Sequence, residues 1–131
     1  MMDVAQHWHG YAWVGHERPA DQLRVDPSQP VPPLEIVHWL RKPSRHVAQT
    51  FRNDEGGVAA ASRWMRDVGL EHAHLSEAFF PLDARMAYVD DGLRRGADVV
   101  WGYYSQKSRY VSRSLVKCPR PSDGMVCPYG D

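Results

Sequence analysis

Residues 98–118 read DVVWGYYSQKSRYVSRSLVKC. Aromatic and β-branched residues dominate both halves, and Gln106, Lys107 and Ser108 between them supply a polar turn, so an antiparallel hairpin is predicted. The strand period of two places Val99, Trp101 and Tyr103 on one face of the first arm, opposite Val100, Gly102 and Tyr104. In the second arm Val111, Arg113, Leu115 and Lys117 oppose Tyr110, Ser112, Ser114 and Val116. Charges alternating with Val111 and Leu115 suggest an edge strand, where cations discourage sheet-to-sheet association.

Working back from the hairpin, two helices are expected. Leu82, Met86, Val89 and Leu93 form an apolar stripe that starts after Pro81 and stops at Gly96. Val58, Ala61, Met65 and Val68 form another, capped by Asn53 or Asp54 and stopped by Gly69, with Leu70 packing back across the stop. The connecting run LEHAHLSEAFF, residues 70–80, fits a short strand or an irregular link. Further back, HVAQTF (46–51) and LEIVHWL (34–40) read as strands joined by a Pro-containing turn, which points His38 into the core. QHWHGYAWVGH (6–16) reads as a first strand with His7, His9, Tyr11 and Trp13 on one face.

The order strand, strand, strand, helix, helix, strand, strand predicts an α+β fold, a mainly antiparallel sheet of about five strands with two helices on one face. The 131 residues are expected to form a single domain, with a long Pro-rich loop at 17–33 and an irregular tail at 119–131. That loop reads as a solvated connector, a functional flap or a semi-rigid link. Hydrophobic content of 43% and charged content of 24% exclude a disordered or fibrous chain. No apolar run reaches the length of a membrane helix, and MMDVAQHWHGY has no basic start or apolar signal core, so a cytoplasmic protein without membrane contact is expected. Arg in excess of Lys resembles GC-rich bacterial coding and bears on source, not activity.

Net charge is zero, yet Lys107, Arg109, Arg113, Lys117 and Arg120 lie in a stretch without a carboxylate from Val99 through Ser122. With Tyr103, Tyr104 and Tyr110 as stacking rings, and Trp13 of the first strand as a further ligand-binding candidate, these cations are candidates to bind nucleic acid or a phosphorylated small molecule. The bland alternative is a solvated edge. A protein without net positive charge also lacks the bias usual in nucleic-acid binders.

His7, His9 and Tyr11 are the candidate catalytic residues of a second reading, a small-molecule enzyme of a specialised biosynthetic pathway with a His- and aromatic-lined pocket. The same aromatic face suits a homodimer interface. A third reading is a protein-directed inhibitor or immunity factor. Two His-x-His pairs, His7/His9 and His72/His74, have strand spacing that lets both rings reach one metal, with Glu17, Glu71 or Glu77 in reserve. That spacing is common by chance. Cys118 and Cys127 are read as free thiols, a tail-pinning disulfide or metal ligands, and nine residues apart they match no zinc knuckle. No metal or cofactor is therefore expected. Nucleotide-binding loops and nucleophile elbows are absent, and Asp54 and Glu55 at NDEGGV argue for helix capping over anion binding.

Overall fold

In the computed structural model, which describes residues 6–120 and 124–129, the chain runs β1 (His7–Gly15), α1 (Asp21–Arg24), two 3-10 helices (Ile36–Arg41 and Ser44–His46), β2 (Gln49–Arg52), α2 (Glu55–Glu71), α3 (Leu82–Arg94), β3 (Val99–Tyr104) and β4 (Tyr110–Cys118). The α+β class and the two long helices agree with the sequence. The first five residues, and residues 121–123 and 130–131 of the tail, lie outside the described residues. Among the described residues no helix is long and apolar enough to cross a membrane.

The sheet has four strands in the order β2-β1-β4-β3, all neighbours antiparallel, and not the five expected. The missing strand is LEIVHWL, whose residues from Ile36 onward form the longer 3-10 helix. In a 3-10 helix residues three apart eclipse. Ile36 with Trp39, and Val37 with Leu40, are both apolar pairs at that spacing, and Trp39 and Leu40 are the buried members. A short apolar run does not reveal its period, and Pro32, Pro33 and Pro43 confine this one. His38 consequently faces outward to Glu35, at 3.3 Å, instead of entering the core.

The terminal hairpin forms as expected, but β4 lies between β1 and β3 and is no edge strand. Its cations reach the ends of their own sheet face. The Arg113 guanidinium lies 4.3 Å from the Trp64 ring centroid and donates to Trp64 O at 3.0 Å. Lys117 Nζ lies 4.8 Å from the Trp8 ring and donates to Gly96 O at 3.0 Å. Aliphatic stems cover apolar surface while aromatic faces and carbonyls take the charge, which lets a cation occupy a central strand.

The two helices cover one face of the sheet. Ala61, Met65 and Val68 of α2 and Met86, Val89 and Leu93 of α3 pack against Trp8, Phe51, Val99, Trp101, Tyr103, Val111 and Leu115. Asp54 caps α2 by accepting from Gly57 N at 2.8 Å. Gly57 itself sits so close to the preceding strand that a Cβ would overlap the carbonyl of Arg52. The helix continues past Gly69, which faces Leu82 where a side chain would clash, and Leu70 is exposed instead of packing back. Gly96, at φ 71°, ends α3 as expected. Of residues 70–80, left open between strand and link, Leu70 and Glu71 complete α2, His74 makes one bridge to Ser105, and the remainder is irregular link and turn.

The opposite sheet face carries a second core of Tyr11, Trp39, Leu40, Val116 and Cys118, joined by Met125, Cys127 and Tyr129 of the tail. The loop at 17–33 is fastened beside it. Arg24 donates to the carbonyls of Pro32 and Pro33 at 2.9 and 2.8 Å, and the buried Lys42 donates to Gln29 O at 2.7 Å.

Candidate metal centre

The alternation of β1 puts His7, His9, Tyr11 and Trp13 on the face away from the helices, as its period predicts. Antiparallel pairing sets His7 opposite Cys118 at the end of β4, and His9 opposite Thr50 on β2. Met125 of the tail pairs with Arg120 in an antiparallel bridge, closed by hydrogen bonds of 2.8 and 3.0 Å. That bridge sets Cys127 in the same place. The ligand atoms of His7, His9, Cys118 and Cys127 all lie within 4.8 Å of one another.

The edges of this group can be compared with a metal polyhedron. His7 Nε2 lies 3.1 Å from His9 Nε2, and Cys127 Sγ lies 3.2 Å from His9 Nε2 and 3.6 Å from His7 Nε2. A tetrahedral zinc ion, with nitrogen ligands at about 2.0–2.1 Å and sulfur at about 2.3 Å, requires edges of about 3.3–3.8 Å. The side chains need to move apart by only tenths of an ångström along these edges, while Cys118 Sγ, on which the 4.8 Å extreme of the group falls, must close in by about 1 Å.

The second nitrogen of His9 is also defined, since Nδ1 lies 2.9 Å from Thr50 Oγ1. With the Nδ1 proton donated to that hydroxyl, Nε2 presents its lone pair to the group, the outer-shell arrangement usual for a ligating imidazole. Burial, and secondarily the charge of His7, lowers His9 from its ordinary 6.5 to about 4. The unfolded chain therefore takes up this proton near pH 6.5 and the folded metal-free chain only near 4. His9 is expected to lower the stability of the chelated protein by up to about 3 kcal/mol as pH falls from 6.5 to about 4, beside losses of the same sign from His46 and His74, as read by urea unfolding at successive pH values. The His9→Asn protein should lose most of that slope.

Beside the centre, Tyr129 binds the tail to the 3-10 helix. Its hydroxyl donates to Trp39 O at 3.1 Å and Lys42 O at 2.9 Å. Its single proton is thereby committed, so Tyr11 is the donor in their 2.8 Å contact. Burial, reinforced by this bond, pushes the Tyr11 phenol far above its ordinary range. Tyr11 also stacks on Trp39 at 4.5 Å. The face offered by the sequence as a pocket or a dimer interface is thus covered by the 3-10 helix and tail of the same chain.

The other expected site residues are dispersed. His72 lies beside Glu71, and His74 stacks on Tyr103 at 5.0 Å, so the second His-x-His pair takes no part in the group. Tyr103 is buried and donates to His72 O at 2.6 Å. Arg113 and Lys117 are engaged on the helix face, and Arg120 pairs with Asp98 at 2.9 Å. Lys107 and Arg109 remain exposed at the hairpin turn, next to Tyr104 and Tyr110, whose rings meet at 5.2 Å. Trp13 is half-buried near Tyr110, at 6.4 Å.

What the sequence reading missed is the union of the first histidine pair with the two cysteines. It also missed Thr50 and Tyr129, which have no local signal. Comparison with family models, with curated proteins and with solved structures gave no match.

Proposed function

We propose that this chain is a zinc-binding protein whose Cys2His2 centre, formed by His7, His9, Cys118 and Cys127, fastens the C-terminal tail across the first and last strands. The convergence of two imidazoles and two thiols within 4.8 Å carries the reading. Nitrogen and sulfur donors in a compact four-fold set suit zinc and disfavour magnesium or calcium, which require oxygen. Four protein ligands fill a tetrahedron, leaving no open position for substrate, so the role is structural and not hydrolytic. Protein purified from metal-replete cells is expected to carry one zinc per chain by elemental analysis. After exchange it should give the intense visible bands of tetrahedral cobalt(II) thiolate. Failure to retain zinc and to take up cobalt would overturn the reading.

The hairpin turn favours a second, compatible reading, an anionic partner. Lys107 and Arg109 are both exposed and adjoin the Tyr104–Tyr110 ring pair. Two phosphate contacts there give a log–log salt slope of about −1.4 on a single strand. Fluorescence anisotropy should show binding of single-stranded DNA, RNA or a nucleotide at low salt, lost in the Lys107→Ala/Arg109→Ala protein. No binding by the unaltered chain would remove this reading.

A further inference from the structure

The two thiols of the centre are unequal. Cys118 is fully buried on β4, whereas Cys127 is half-buried on the returning tail, outside any strand or helix. Their sulfurs lie within 4.8 Å, and a disulfide requires about 2.05 Å. Cys127 belongs to an irregular segment, so the tail supplies that movement without disturbing the sheet. Thiols that hold a metal are deprotonated, and the thiolate is the form that peroxide oxidises.

We infer, resting on the zinc reading, that Cys127 is a peroxide-reactive thiolate and Cys118 its resolving partner, so that their disulfide releases the metal. In the first step Cys127 Sγ attacks hydrogen peroxide: an S–O bond forms, the O–O bond breaks, and the departing hydroxide takes a solvent proton to become water. Cys118 Sγ then attacks the Cys127 sulfenic acid. The S–S bond forms, the S–O bond breaks, and hydroxide leaves as a second water after protonation. Two thiolates are oxidised by two electrons in total, and one peroxide is reduced to two waters. A disulfide sulfur is a poor ligand, which leaves only His7 and His9 on the metal.

The test treats zinc-loaded full-length protein with hydrogen peroxide while a chromogenic chelator reports free zinc. Free thiols are titrated in parallel, and peptides are mapped by mass spectrometry. The expected result is complete loss of zinc on the time course of thiol loss, with a Cys118–Cys127 peptide, and recovery on adding a thiol reductant with zinc. In the Cys118→Ser protein, if circular dichroism shows it folded, Cys127 should accumulate a sulfenic acid that a 1,3-dione traps. The peptide map of the unaltered protein decides if that variant does not fold. Zinc that outlasts thiol oxidation, Cys127 sulfinic acid without the disulfide, or a disulfide joining two chains would overturn the inference while leaving the zinc reading intact. Protein that holds no zinc before peroxide is added overturns the zinc reading itself.

Discussion

Removing the metal with a strong chelator is expected to lower the stability of the zinc-loaded protein by about 4 kcal/mol when free zinc had stood near a thousand times its dissociation constant. That excess sets the size of the effect, and the tail is where the loss is expected to be felt, because little else holds it. Residues 124–129 contribute one bridge to Arg120, the Tyr129 hydrogen bonds and the apolar contacts of Met125 and Tyr129. Ordering each residue costs about 1–2 kcal/mol, and each hydrogen bond returns about 1. The hydrogen bonds alone fall short of the ordering cost, so the ligand bonds decide whether the tail stays. Urea unfolding followed by tryptophan fluorescence reads the change, with Trp39 lying under Tyr11 and near the tail. Cys127→Ser should reproduce the chelated midpoint and show no response to added zinc. A chelator effect below about 1 kcal/mol would show that zinc binds the unfolded chain nearly as well as the folded one, and that the centre adds little to folding.

Trp8→Ala is expected to cost about 3–5 kcal/mol, the range for removing a large aromatic from a core. Trp8 is fully buried between His7 and His9 in sequence but faces the helix side, where it packs in the main core. Its Nε1 donates to Ala97 O at 2.9 Å and fixes the turn between α3 and β3. Lys117 Nζ rests over the ring. Truncation therefore opens a cavity, strips Ala97 of a hydrogen bond and takes away the π face beneath a buried cation. Total stability of a domain this size is about 5–15 kcal/mol, so a measurable unfolded population should appear in dilute urea. A loss under about 2 kcal/mol would mean that the surrounding side chains collapse into the space.

Much of the fold is legible in the residues because its signals are local. The stripes of α2 and α3, the Asp54 cap, the Gly96 stop and the two arms of the terminal hairpin each depend on spacing within one segment. LEIVHWL failed because seven apolar-rich residues satisfy both a strand and a 3-10 repeat, and the burial of Trp39 and Leu40 against another part of the chain selects between them. Arg113 and Lys117 misled for a related reason. Alternating charge marks an edge strand unless rings such as Trp64 and Trp8 stand ready to receive it, and those rings come from other segments.

Local residue patterns were enough for the α+β class, the two amphipathic helices and the alternation that sets His7, His9, Tyr11 and Trp13 on one side of β1. Tertiary structure alone decided that β1 pairs with β4, and hence that His7 meets Cys118 across 111 residues of chain while the tail brings in Cys127. A strand's period follows from its own backbone, but its partner is chosen by burial summed over the whole sheet. A ligand set divided among three segments therefore has no signature in any of them.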